Sequence, residues 1–153
     1  MYLDHLADKY NFNISKKDHD SMICEVNMND KKVVFVKPQT YMNLSGYAVQ
    51  KIKKWYKVDD SDILVIFDDI DIPFGDVRFK EKGSGGTHNG MKNIVQMLSN
   101  QSIPRLKLGI GGKKHPNQDL KDFVLQRFSK DEISKMSEIF KVADEKLLDF
   151  LDK

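Results

Sequence analysis

Four stretches of this chain carry residue types and spacings that could do chemistry. Asp68-Asp69-Ile70-Asp71 directly follows a continuous apolar run, residues 63–67. In open α/β sheets, sites gather outside the carboxyl ends of strands, and the chain itself places Asp68 at such an end. Three acids in four residues could also hold Mg²⁺ through oxygen, or could be ordinary turn formers ahead of Pro73-Phe74-Gly75. Gly83-Ser84-Gly85-Gly86-Thr87-His88-Asn89-Gly90 is a glycine-rich stretch leading into an expected helix, a setting that admits close backbone approach and favours an anion. It is neither a dinucleotide fingerprint, whose third glycine would fall at His88, nor a Walker loop, which needs Gly-Lys-Ser/Thr. His88 and Asn89 together offer a donor/acceptor pair at a helix start, or simply solvated loop groups. In Lys37-Pro38-Gln39-Thr40-Tyr41-Met42-Asn43-Leu44-Ser45-Gly46, an expected strand exits into a turn, and Asn43 or Ser45 reads locally as a helix cap. Lone Cys24, on an expected strand, reads as a small core residue, and His5, His19 and His115 show no zinc-ligand spacing.

The fourth signal is charge. Of 153 residues, 25 are basic and 23 acidic, a net of +2. Between Arg78 and Lys114, however, eight basic residues (Arg78, Lys80, Lys82, Lys92, Arg105, Lys107, Lys113, Lys114) face one acid, Glu81, so that segment is +7 and the remainder −5. Such an excess beside a glycine-rich loop is either a polyanion footprint or a solvated basic face.

The elements that must position these residues read as follows. Leu3, Leu6, Ala7 and Tyr10 give a helix over about residues 1–11, with no capping residue at its start. Met22, Cys24, Val26 and Met28 alternate as in a strand, and Asn29-Asp30 turns the chain into a second strand at 33–36, a hairpin. Ala48, Ile52, Trp55 and Tyr56 mark a helix ringed by Lys51, Lys53, Lys54 and Lys57. Residues 63–67 suit a central strand buried on both faces. Residues 77–82 form a short strand with its basic positions on one face, Met91, Ile94, Val95 and Leu98 a helix, residues 106–110 a strand, and 123–125 a short element. Ser129 and Glu132 form a capping box before Ile133, Met136, Phe140, Ala143 and Leu147. Strands interleaved with helices, plus one hairpin, predict an α/β fold: a single three-layer domain over residues 1–153, its mixed sheet covered by helices on both faces. No disulfide is available to a single Cys, no run approaches a membrane span, and the start lacks a signal-peptide pattern, so a cytoplasmic protein is expected.

Taken together, the motifs resemble the bacterial-type peptidyl-tRNA hydrolases. That family shows Pro-x-Thr-x-Met-Asn-x-Ser-Gly (here Pro38 to Gly46), a buried strand ending in Asp-x-x-Asp and Pro-x-Gly (Asp68 to Gly75), a glycine-rich stretch into His-Asn-Gly (Gly83 to Gly90) and Arg-Leu-x-x-Gly-Ile-Gly (Arg105 to Gly111). The resemblance implies hydrolysis of the ester joining peptide to tRNA, with peptidyl-tRNA as partner, no metal or other cofactor, and a monomer when complete. Asp68 matches the Asp that orients the catalytic His. Met42, Asn43, His88 and Asn89 match substrate-contacting positions, and Lys80 and Lys107 match the basic residues that clamp a tRNA phosphate. The family's catalytic His lies in a Thr-Arg-His-Asn stretch after a first strand, ahead of the first helix, and no such stretch occurs in residues 1–153. The expectation is therefore a chain truncated upstream, lacking that strand and base and without appreciable activity as given. The alternative is an inactive tRNA-binding or splicing-factor-like relative. His88 matches a different family position and does not replace the missing base.

Overall fold

The computed structural model describes residues 2–18, 21–28, 30–39, 44–86, 88–109 and 130–152, the last helix by its backbone alone through residue 137. Chain contacts divide it into two compact units, Met1–Ile63 with Glu81–Pro104, and Leu64–Lys80 with Arg105–Leu151.

In the first unit, α1 (Tyr2–Tyr10) buries Tyr2 and Leu6, one helical turn apart. It ends where Asn11 turns left-handed, at φ 57°. Three antiparallel strands follow, β1 (Lys16–Asp18), β2 (Ser21–Met28) and β3 (Lys31–Pro38), paired in chain order. The expected hairpin is present. Asp30 takes φ 61° at its turn, a conformation Asp tolerates better than most residues. β2 buries Ile23 more deeply than the alternation suggested, and Cys24, opposite buried Phe35, is half-buried rather than core.

Helix α2 (Ser45–Tyr56) turns Ala48 and Ile52 inward, and α3 (Asn89–Leu98) does the same with Met91 and Ile94; the two helices pack together. The backbone N–H of Gly46 donates to Asn93 Oδ1 at 2.6 Å, and a Cβ on Gly46 would stand 2.5 Å from the Asn93 carbonyl oxygen, so only glycine lets the two helices approach this closely. Ser45 is the first helical residue and not the cap. Leu44 holds the cap position and has no side-chain oxygen to offer, while Asn43 lies outside the described residues. The far ends of the helices are tied as well: Asp60 accepts from Asn100 at 2.9 Å and pairs with Lys53 at 2.6 Å.

In the second unit, β4 (Val65–Asp69), β5 (Val77–Lys80) and β6 (Arg105–Gly109) form a mixed sheet in the order β4-β6-β5, with β4 parallel and β5 antiparallel to β6. This is the α/β pattern the sequence indicates, with a parallel pair joined by a crossover. Two details differ. Among the described strands β6, not β4, is central, and β4 begins at Val65 and runs through Asp68 and Asp69, so these acids end the strand instead of following it. Helix α4 (Lys130–Leu151) lies against β5 and β6 and buries Ile139, Ala143, Leu147 and Leu151 at four-residue spacing. The expected capping residue Ser129 and the element at 123–125 lie outside the described residues.

Candidate functional site

Strand register fixes which side chains share a face, because successive residues alternate and cross-strand partners point the same way. Phe67 stands opposite Lys107, Lys107 opposite Arg78, and Arg105 opposite Lys80. Arg78, Lys80, Arg105 and Lys107 therefore occupy one face of the sheet, and Lys80 and Lys107 are diagonal neighbours, roughly 7–8 Å apart at the backbone. Asp68, opposite Leu108, lies on the other face.

These basic residues are not equivalent. Lys80 and Arg78 are exposed, Arg78 within 3.7 Å of Asp76. Arg105 is 1% exposed, and burial lowers its pKa. It is therefore a structural cation, and its place in the +7 segment does not translate into a surface charge. Lys107 sits between the two cases: its ammonium is 3.9 Å from Asp69 Oδ2 and 5.9 Å from the centre of the Phe67 ring, with most of its side chain covered. Its ammonium reaches the edge of the basic face but already has a carboxylate beside it.

The acidic run also separates into roles. Asp69 is the turn former, accepting the Asp71 N–H at 2.8 Å and pairing with Lys107. The turn that follows lies against the end of β6, where the Pro73 carbonyl oxygen would be 2.2 Å from a Cβ on Gly109. Beyond the backbone ladder of β4 with β6, the Asp68 carboxylate has no hydrogen bond or ion pair to a described residue. It is open to solvent yet crowded, and desolvation raises its carboxyl pKa above the ordinary value. No group of three or more His, Cys, Asp or Glu able to hold a metal ion occurs among the described residues.

In the first unit, the glycine-rich stretch does something other than the sequence suggests. Gly85 is buried, and a Cβ there would be 2.4 Å from the Lys92 backbone nitrogen, so this glycine packs the loop onto α3 rather than lying open for a ligand. Gly86, at φ 59° with open space around it, is the loop's left-handed hinge. His88 is the N-cap of α3: its Nδ1 accepts the Met91 N–H at 3.0 Å, while its own backbone N–H donates to the Gly85 carbonyl at 3.1 Å. An imidazole accepting at Nδ1 carries its proton on Nε2, so in this arrangement His88 presents a donor to the surroundings and is not a base. Asn89 is exposed on the first turn. Met42 and Asn43 lie outside the described residues. Asn93, which no motif singled out, is the residue that holds the α2 start to α3; a mid-helix Asn gives no signal of this in sequence.

The peptidyl-tRNA hydrolase family model matches residues 1–153. The chain belongs to the peptidyl-tRNA hydrolase family. It is 46% identical over 143 residues to the peptidyl-tRNA hydrolase of Alkaliphilus oremlandii, covering 94% of this chain and 76% of that protein, and 41% identical over 152 residues to that of Exiguobacterium sp., covering 99% and 82%. The crystal structure of peptidyl-tRNA hydrolase from Acinetobacter baumannii superposes with a TM-score of 0.81 at 30% identity, over 92% of this chain and 71% of that one. The α/β fold with mixed strands is thus the family's, and the activity that goes with it is hydrolysis of the peptidyl-tRNA ester, with peptidyl-tRNA as the substrate of the family. The family match runs from residue 1 to residue 153 and lends the expected upstream truncation no support. No helix among the described residues is long and apolar enough to cross a membrane.

Proposed function

We propose that this chain holds peptidyl-tRNA by a phosphate on the Lys80–Lys107 diagonal and works on the ester at the other face of the same sheet, where Asp68 orients an imidazole that activates water. The observation that carries this reading is the position of Asp68 as the penultimate residue of β4, at the carboxyl end of a parallel strand, exposed and with no side-chain partner among the described residues, while its neighbour Asp69 serves the turn. A carboxylate in that role fixes the imidazole's tautomer and stabilises the imidazolium that forms in the transition state. Placing the cations and the carboxylate on opposite faces suits a long substrate, one whose anchored phosphate is distant from its reacting carbon.

Asn43 and Asn89 are assigned to the peptide and the developing oxyanion, where aimed donors supply a large share of the rate, and Met42 and His88 to contacts with the substrate. His88 is not assigned as the general base, since its Nδ1 serves the helix. The family's Thr-Arg-His-Asn stretch is not in residues 1–153, so this chain assayed alone is expected to bind more convincingly than it turns over. We read the two units as one domain of the family, on the support of a match that spans both. Binding is tested by filter retention of labelled N-acetylaminoacyl-tRNA with the wild-type chain and Lys80→Glu. Weakened retention by the variant is expected; equal retention would put the phosphate elsewhere.

A further inference from the structure

Helices α2 and α3 are laced along one seam, and the order of its contacts sets their direction. The Gly46 N–H donates to Asn93 Oδ1 at 2.6 Å, and one turn further along both helices Gln50 Nε2 donates to the Met97 carbonyl oxygen at 3.4 Å. The residue numbers rise together, so the two helices run the same way and start at the same end of the pair. Gly46 is the second residue of α2, where a helix has no internal partner for its N–H, and Leu44 at the cap position has no side-chain oxygen to give. Asn93 supplies from the neighbouring helix the acceptor that an N-cap would supply. Asn89 lies four residues before Asn93 on the same strip of α3, about 6 Å along its axis. Asn43 precedes Gly46 by three residues, a reach of at most about 10–11 Å. Both are therefore tied to one point, the part-buried Gly46–Asn93 contact.

We infer that Asn93 is a positioning residue for hydrolysis of the peptidyl-tRNA ester: through the Gly46 N–H it sets the start of α2, and with it the Met42–Asn43 segment, against the start of α3 that carries His88 and Asn89. The inference rests on the proposed assignment of Asn43 and Asn89 to the peptide. Two groups aimed at one acyl carbonyl must keep a common frame to within about 0.5 Å, and two separate helix starts keep one only if something fixes them to each other. Glycine at position 46 belongs to the same device. A Cβ there would stand 2.5 Å from the Asn93 carbonyl oxygen, so the contact leaves α2 no slack to slide along α3.

The test is filter retention by the full chain of N-acetylaminoacyl-tRNA and of the same tRNA deacylated, the ratio of the two affinities reading the acyl contact alone. A preference for the acylated form is expected. Asn93→Leu should shrink it by roughly 2- to 10-fold, the range for one neutral hydrogen bond, and leave the affinity for deacylated tRNA as it was. Asn93→Asp keeps an acceptor for the Gly46 N–H and should retain the preference. Added to Asn43→Ala, Asn93→Leu should subtract little more, because both act on the same contact. Asn100→Ala, which releases the opposite end of the seam from Asp60, should leave the preference unchanged. A preference that Asn93→Leu leaves intact while Asn43→Ala reduces it overturns the inference. So does an equal loss in Asn100→Ala, which would make Asn93 a matter of fold stability alone. No preference in the wild type, or none lost in Asn43→Ala, overturns the assignment of Asn43 to the peptide and takes the inference with it.

Discussion

At the scale of single residues, Lys80 and Lys107 differ more than their shared assignment suggests. Lys80 is exposed, so Lys80→Glu should reduce the log–log salt slope of tRNA binding by about 0.7–0.9 and leave the melting temperature where it was. Lys107→Glu would set a carboxylate against Asp69, now paired 3.9 Å away and largely covered, and should lower the melting temperature as well as the affinity. Thermal melts of the two variants beside their binding isotherms separate these outcomes. His88→Ala should cost about 1 kcal/mol of stability through loss of the α3 cap, and His88→Asn should restore most of it, as read by urea unfolding. If His88→Ala changed only ester cleavage and not stability, the capping role would be wrong. Asp68 was legible in sequence because an apolar run followed by acids marks a strand's end. The division of labour between Asp68 and Asp69 was not, because it depends on which carboxylate the next turn recruits. The burial of Arg105 was equally hidden, since a basic residue opening a strand reads as surface until the strand proves central.

At the scale of elements, periodicity located nearly every described helix and strand, and the errors fall where tertiary contact overrides local preference. Ser45 is a good cap by type, yet the helix includes it and leaves Leu44 at its head, because the Gly46–Asn93 bond fixes where the helix starts. Gly46→Ala should therefore destabilise the α2–α3 pair by about 1–3 kcal/mol, since the atom it would strike is backbone. A loss of only a few tenths in urea unfolding would contradict the close approach. At the other end of the pair, burial works against the Asp60 charge, but the Asn100 hydrogen bond and Lys53 outweigh it and the carboxyl pKa is lowered. A group depressed on folding stabilises above its unfolded pKa, so the contribution is complete at neutral pH and fades as pH falls below the ordinary 3.8. The melting-temperature gap between wild type and Asp60→Asn should accordingly be open at pH 7 and narrow toward pH 3. A gap independent of pH would show that the substitution removes packing rather than charge.

At the scale of the whole molecule, the family was legible because four ordered motifs spread along the chain are far more specific than any one of them, and the family match over residues 1–153 bears this out. What local rules could not supply is how the basic residues sort between surface and interior: with Arg105 buried and Lys107 largely covered, the +7 count overstates the charge exposed on the sheet face. The desolvated Asp68 makes a related prediction: with its pKa raised, its charge costs stability as pH rises through that pKa, so Asp68→Asn should not lower the melting temperature at pH 7. Catalysis is where this residue should matter. The decisive measurement is release of labelled acyl group from N-acetylaminoacyl-tRNA by residues 1–153, with imidazole added at increasing concentration. Little release without imidazole, a saturable rise with it above the protein-free rate, and loss of that rise in Asp68→Asn with tRNA binding intact are the expected results. Full turnover without added imidazole, or an imidazole response that Asp68→Asn leaves unchanged, would contradict the assignment of Asp68 as the carboxylate that positions the catalytic base.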